Sequence, residues 1–280
     1  MNKKWLIAGI GLIVVTAVSV TFFKGKKLRT VSVGGQVVST ESSASAVKNP
    51  KRLYEMASSL EKNHEILKAQ EFYQELISNF PDYPRIEEVQ QKLEQLNLDI
   101  ITSNSQSPKT FLYEVQMGDT LGKLAKKYGT TVELIKKKNN LTSDVIRVGQ
   151  KLYVWTGSLN IFVDKSQNIL ILKDGDQVLK VYTVSTGANN ITPVGAFKIT
   201  SKLVDPVWFK AGAVIPPESP QNVLGSRWMG FDLAGYGIHG TIEPDKMGQQ
   251  VTAGCVRMRN EDVEQLFDLV PVGTSVTIID

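Results

Sequence analysis

The spacing of hydrophobic positions changes repeatedly along this chain, and each change marks a boundary. Residues 5–23 form an apolar run without a charged residue, preceded by Lys3 and Lys4, and the run is about as long as a membrane-spanning helix needs. Residues 30–49 are rich in Ser, Val, Ala and Gly and show no period, which is the composition of a flexible tether. From residue 50 the period becomes helical. Leu53, Met56, Ala57 and Leu60 share one face, Ala69, Phe72, Tyr73 and Leu76 share another, and Phe80-Pro81 breaks the pattern before a third helix over 86–98. A polar stretch at 104–109 leads to the order strand, helix, helix, strand. Beyond residue 158 alternation with period two takes over, at Leu159, Ile161 and Val163, at Ile169 and Ile171, and through 178–184, with Asp174-Gly175 as a hairpin turn. A helix from Asn260 and a last strand over 275–279 close the pattern.

The expected architecture is therefore multidomain: a membrane anchor or signal segment (1–29), a linker (30–49), an α-helical segment (50–100), a βααβ module (111–156) and a mainly-β domain (158–280). A cleavable signal has a shorter apolar core, and Ala17-Val18-Ser19 is its candidate cleavage site, but the run continues through Val20, Phe22 and Phe23, which favours an uncleaved anchor. Lys24, Lys26, Lys27 and Arg29 leave the orientation open by charge alone.

Within the βααβ module, Asp119 is placed to cap a helix carrying Leu121, Leu124, Ala125 and Tyr128, and Thr130 with Glu133 reads as a capping box for the next helix. Lys136, Lys137 and Lys138 read as a solvated helix face.

Composition adds little until the cysteine. A net charge of +4 with scattered lysines gives no reason to expect a nucleic-acid partner. The one cysteine, Cys255, cannot close an intramolecular disulfide or form a structural zinc site by itself. It is either a small buried hydrophobe or a nucleophile. Gly254 before it and Arg257 after it favour the nucleophile, because a glycine admits a tight turn that presents peptide N–H groups to a reacting carbonyl. A free thiol is only a few per cent ionised at neutral pH and needs a base. Of the two histidines, His64 lies between the helical faces with no cluster of metal ligands around it, which leaves His239 as the base. The backbone N–H groups of Gly254 and Cys255 are the candidate oxyanion donors, and neither a metal nor a cofactor is expected.

Residues Thr192-Pro193-Val194-Gly195, Gly225-Ser226-Arg227-Trp228, Tyr236-Gly237-Ile238-His239-Gly240-Thr241 and Gly254-Cys255-Val256-Arg257-Met258 occur in order, and with them 158–280 resembles the catalytic domain of YkuD-type L,D-transpeptidases. The resemblance implies that Cys255 attacks the carbonyl of the third residue of a peptidoglycan tetrapeptide stem, expels D-alanine, and passes the acyl group to an amine on a neighbouring stem, a 3-3 cross-link of cell-wall biogenesis. A histidine common in that family two residues before the cysteine is replaced by Ala253. Arg257 is expected to pair with a substrate carboxylate or to buttress the loop; Tyr236 and Arg227 are candidate pocket residues, and Trp228 is assigned to core packing.

Tyr113, Val115, Gly118, Asp119, Thr120 and Leu121, with Asn140-Leu141 and Ile146, Val148, Gly149 and Gln150, resemble a LysM module. That implies binding of N-acetylglucosamine-containing glycan between the Gly118, Asp119, Thr120 loop and the Ser143, Asp144, Ile146 loop. The spacing of Leu53, Ala57, Leu60, Ala69, Tyr73 and Pro81 resembles one tetratricopeptide repeat, too little to stand alone, so it is expected to pack on a third helix, a neighbouring domain or a protein partner. The expected protein is an envelope enzyme held at the cytoplasmic membrane with its catalytic region outside. Hydrolysis of stems, in which water replaces the acceptor amine, and a catalytically impaired peptidoglycan-binding scaffold are the alternatives.

Overall fold

The computed structural model describes residues 49–210 and 212–280. The proposed anchor and nearly all of the linker lie outside the described residues. Among the described residues, no helix is long and apolar enough to cross a membrane.

The chain divides into two compact units, with the boundary between Leu96 and Asn97. In the first, α1 (Pro50–Lys62) starts where the Asn49 side chain accepts hydrogen bonds from the N–H groups of Lys51 and Arg52, with Pro50 at the first helical position. Helix α2 (Ile66–Asn79) follows a turn in which His64 is exposed at φ 60°. Leu53, Ala57, Ala69, Tyr73 and Leu76 form a buried cluster with Ile86, Val89, Leu93 and Leu96 of α3 (Ile86–Thr102). The third helix thus supplies the packing that two helices lacked.

The remainder of α3 belongs to the second unit. Leu98 and Ile101 enter the core of the β-rich domain, and the Asn97 side chain donates to the Leu179 carbonyl at 2.9 Å. Next comes the βααβ module: β1 (Thr110–Glu114), α4 (Leu121–Tyr128), α5 (Val132–Lys138) and β2 (Lys151–Trp155), with β1 and β2 antiparallel in the register Tyr113 to Leu152. The caps sit one residue later than the sequence pattern placed them. Thr120, not Asp119, caps α4, and Thr131, not Thr130, caps α5, because the residue that keeps extended backbone next to the first turn is the one whose oxygen reaches the free N–H groups.

The lysine triplet departs from a solvated face. Lys138 is fully buried, and its Nζ donates to the carbonyls of Ile100 at 3.0 Å and Ser103 at 2.8 Å. The end of α3 leaves carbonyls without helical partners, and this ammonium satisfies them. Burial pushes the Lys138 pKa down to about 8. Lys137 pairs with Asp268 of the β-rich domain at 2.6 Å.

The β-rich domain is built on an eight-stranded sheet. Its strands are β3 (Leu159–Asp164), β4 (Ile169–Asp174), β5 (Gln177–Thr183), β7 (Gly195–Val204), β10 (Arg227–Phe231), β11 (Gly237–His239), β13 (Val256–Arg257) and β14 (Ser275–Ile279). They lie in the order β13-β11-β10-β7-β14-β3-β4-β5. The short strands β6 (Thr186–Gly187) and β12 (Gln250–Thr252) pair with each other, as do β8 (Trp208–Lys210) and β9 (Ala213–Ile215). Gly175, at φ 60°, makes the expected turn between β4 and β5. Helix α6 (Asn260–Leu269) buries Val263, Leu266 and Phe267 in the same core as Met229, Ile238 and Val256. That packing fixes the β10, β11 and β13 end of the sheet, where the motif residues lie.

Candidate active site

Three strands bring the motif residues together. Trp228 of β10 faces His239 of β11 in an antiparallel ladder, and β11 runs parallel to β13 with Ile238 opposite Val256 and His239 opposite Arg257. Side chains alternate across a sheet, so Met229, Ile238 and Val256 fill the core while Trp228, Gly237 and His239 share the opposite face. Immediately before β13, Cys255 lies beside the Gly237 N–H.

The turn before β13 has a specific backbone. Gly254 adopts φ 121°, and a Cβ there would come within 2.8 Å of the Tyr236 ring, so both conformation and space require glycine. The Thr252 hydroxyl donates to the Cys255 carbonyl at 2.7 Å and accepts from the Gly254 N–H at 3.2 Å. This corrects the expected oxyanion donors: the Gly254 N–H is already engaged within the turn. The Cys255 N–H meets no acceptor among the described residues, and it alone of the two remains available. Ala253 is exposed.

Cys255 is half-buried, and its thiol donates to the Gly235 carbonyl at 3.5 Å. Burial pushes the thiol pKa up, opposed by the Gly237 N–H that points to the sulfur. His239 is 4% exposed, with Nδ1 2.7 Å from the Gly240 carbonyl and the Trp228 ring stacked on it, centroids 6.1 Å apart. Burial, and secondarily the Arg257 charge, pushes the His239 pKa down to about 4 against the pull of the Gly240 and Leu224 carbonyls. Both groups therefore rest uncharged. No direct thiol-to-imidazole bond is formed among the described residues, where the thiol proton goes to Gly235. Cys255 directly precedes the strand that pairs with β11, and its sulfur is met by the N–H of Gly237, two residues before His239 on that strand.

Arg257 buttresses this face. It is 7% exposed, its guanidinium reaches Glu243 Oε2 at 3.1 Å, and its buried Nε has no hydrogen-bond partner. Tyr236 packs against Gly254. Arg227 is a correction. It alternates with Trp228 on β10, so it points to the other side of the sheet, with its guanidinium 5.4 Å from the Phe267 ring centre of α6 and donating to the Ser226 carbonyl. Trp228 is a correction in the opposite sense: it is half-buried and covers His239 rather than filling the core.

Comparison with known proteins identifies the family. Residues 159–278 match the L,D-transpeptidase catalytic domain family YkuD, and residues 113–155 match the LysM domain family. YqjB of Bacillus subtilis (strain 168), which carries an L,D-transpeptidase name, is 42% identical over 130 residues, covering 44% of this chain and 73% of that protein. YkuD of the same organism, named likewise, is 30% identical over 173 residues, covering 59% of this chain and 97% of its own length. The chain belongs to the L,D-transpeptidase family.

In this L,D-transpeptidase the LysM loops are partly spent on their own fold. Asp119 Oδ2 accepts from the Tyr113 hydroxyl at 2.7 Å and the Gln116 N–H at 2.8 Å, and Thr120 Oγ1 accepts from the Lys123 N–H at 3.2 Å. Asp144 pairs with Lys136 at 2.6 Å, and Ile146 packs against the LysM core. Gly118, at φ 83°, and Ser143 keep open positions on the two loops. The exposed apolar groups beside them are Met117, Val145 and Val148, none of which was among the residues expected to touch glycan.

Other residues of the catalytic face were also missed. Thr252, Gly235 and Gly237 act through turn geometry and backbone groups that no residue-type pattern announces. Glu243 is reached only through its ion pair with Arg257.

Proposed function

We propose that this protein is a peptidoglycan L,D-transpeptidase working through a Cys255 acyl-enzyme. The observation that carries the reading is the open Cys255 N–H beside a sulfur met by the Gly237 N–H, on the strand that ends in His239. The neutral thiol gives its proton to His239 as Sγ attacks the carbonyl of the third residue of a tetrapeptide stem, forming the C–S bond. The oxyanion of the tetrahedral intermediate is met by the Cys255 N–H. Collapse breaks the C–N bond, the imidazolium returns the proton to the departing amine, and D-alanine leaves. An amine of a neighbouring stem then attacks the thioester, His239 takes its proton, and the thiolate is released and reprotonated.

The low pKa of His239 favours the second half of this sequence, since an imidazolium formed in a dry site is a strong acid towards a leaving amine, whereas the first proton transfer runs uphill and has to be concerted with C–S bond formation. The raised thiol pKa keeps Cys255 protonated until a substrate draws the proton away. Arg257 holds the Glu243 side of the site.

The LysM module adds affinity for glycan between its two loops and holds the enzyme on its polymer. The tetratricopeptide-like pair α1 and α2 offers a surface for a protein partner, and residues 5–23 anchor the chain in the cytoplasmic membrane with the catalytic domain on the wall side. The test is mass spectrometry of the protein incubated with tetrapeptide stems. A Cys255 adduct with loss of D-alanine followed by dimeric stems supports the proposal, an adduct followed only by trimmed stems assigns a hydrolase, and the absence of an adduct refutes both.

A further inference from the structure

We infer that Asn260, the first residue of α6, is a positioning residue for His239, which deepens the proposed function and rests on the reading of His239 as its base. The Asn260 carboxamide holds both backbone groups of Thr241. Oδ1 accepts from the Thr241 N–H at 2.9 Å, and Nδ2 donates to the Thr241 carbonyl at 2.9 Å. Oδ1 also accepts from the Ser226 N–H at 3.3 Å.

The Thr241 N–H belongs to the same peptide plane as the Gly240 carbonyl. In a trans peptide these two groups point in opposite directions, so a partner that fixes the N–H aims the carbonyl. That carbonyl is the one 2.7 Å from His239 Nδ1. The Gly240 N–H is held in turn by the Arg227 carbonyl at 3.1 Å. By fixing the nearer acceptor, Asn260 selects the imidazole tautomer with the proton on Nδ1 over the weaker pull of the Leu224 carbonyl, and leaves Nε2 as the base.

The surrounding sequence makes room for the carboxamide. A Cβ at Gly240 or at Gly225 would come within 2.2 or 2.3 Å of Asn260 Oδ1, so both positions are glycine where the amide is seated. The start of α6 gains nothing comparable, because its cap residue Arg259 makes no side-chain capping bond and Asn260 points away to the Thr241 strand end.

The chain contains two histidines, so ring ¹⁵N shifts of the full chain in detergent, labelled with ¹⁵N-histidine and compared with His64→Gln, report on His239 without further assignment. Wild-type protein is expected to show the Nδ1–H tautomer. Asn260→Ala should give a tautomer mixture and slow carbapenem acylation on the order of 10²-fold at unchanged initial carbapenem affinity. Asn260→Asp, which keeps the acceptor but loses the donor, should fall between. Gln265→Ala, on the same helix but bonded to Lys180 and Tyr182, should lower the unfolding temperature and leave the tautomer unchanged. If Asn260→Ala does not fold, Asn260→Asp decides. A folded Asp variant with the wild-type tautomer and an acylation rate within about twofold of wild type overturns the inference. Wild-type protein that takes no adduct at Cys255 overturns the functional reading instead, while the tautomer shift still reports on Asn260.

Discussion

Trp228 and His239 face each other across the β10–β11 ladder with their rings inclined by 20°, so the indole covers one face of the imidazole. Burial is the largest cause of the low His239 pKa, and removing the indole is expected to raise it. Trp228→Ala is expected to move the His239 titration from about 4 towards the ordinary 6.5, read by NMR, and to slow carbapenem acylation. An unchanged titration would mean that the desolvation comes from elsewhere.

Cys255 is the sole thiol of the sequence. Cys255→Ala should abolish covalent labelling by a carbapenem, and Cys255→Ser should leave at most a trace. An adduct mapped to any other residue in the wild-type chain would remove the nucleophile from the proposal.

The titration of His239 sets two pH dependences. Acylation needs the neutral base, so its rate should stay level from about pH 8 down to about pH 5 and fall as the pH approaches 4. Stability follows the same group with a defined sign. The folded pKa of about 4 lies below the unfolded value near 6.5, so the unfolded chain takes up the proton first and stability is lost as pH falls from 6.5 through 4. The full difference is about 3 kcal/mol at about 1.4 kcal/mol per unit. Denaturant titrations of wild type and His239→Gln across that window should diverge, and parallel curves would contradict the buried neutral histidine.

Ala253 is exposed while the turn around it is held by Thr252. Restoring a histidine by Ala253→His should therefore change turnover by less than about tenfold, or about 1.4 kcal/mol in the barrier. A much larger gain, measured with stems, would show that the natural site lacks an imidazole it needs.

The LysM module separates into two parts by function. Met117, Val145 and Val148 are exposed beside the glycan loops, and changing all of them to Ser should weaken sedimentation with peptidoglycan sacculi while leaving carbapenem acylation intact. Deleting 111–156 should do far more harm. It removes Leu134 and Trp155 from the catalytic core, together with the Thr131 bond to the Asp268 carbonyl, the Lys137–Asp268 pair and the Lys138 clamp on α3. The expected result is a lower unfolding temperature and loss of acylation together. A deletion variant that unfolds at the wild-type temperature would show that these contacts contribute nothing.

Much of this protein was legible along the chain. The period of Leu53, Ala57, Ala69 and Tyr73 predicted helices, the alternation of Leu159, Ile161 and Val163 predicted a strand, and the order of short glycine-bearing strings pointed to the catalytic family before any coordinates. These features are local, because a helix or strand reveals its buried face in the spacing of its own residues. The same reasoning singled out Cys255 and His239, since only certain residue types can perform acyl transfer.

Tertiary structure decided what depends on neighbours distant in sequence. Lys138 read as solvated because charge is exposed by default, and only the carbonyl-rich end of α3 gave its ammonium a reason to be buried. Arg227 read as a pocket residue through the resemblance of its string, yet one step along a strand reverses the face. The choice of the Cys255 N–H over that of Gly254 depended on where the Thr252 hydroxyl turned, and the carbonyl that receives His239 is aimed by an asparagine on another element. Side-chain chemistry is written in the sequence, but the direction in which a peptide group points is fixed only when the rest of the fold closes around it.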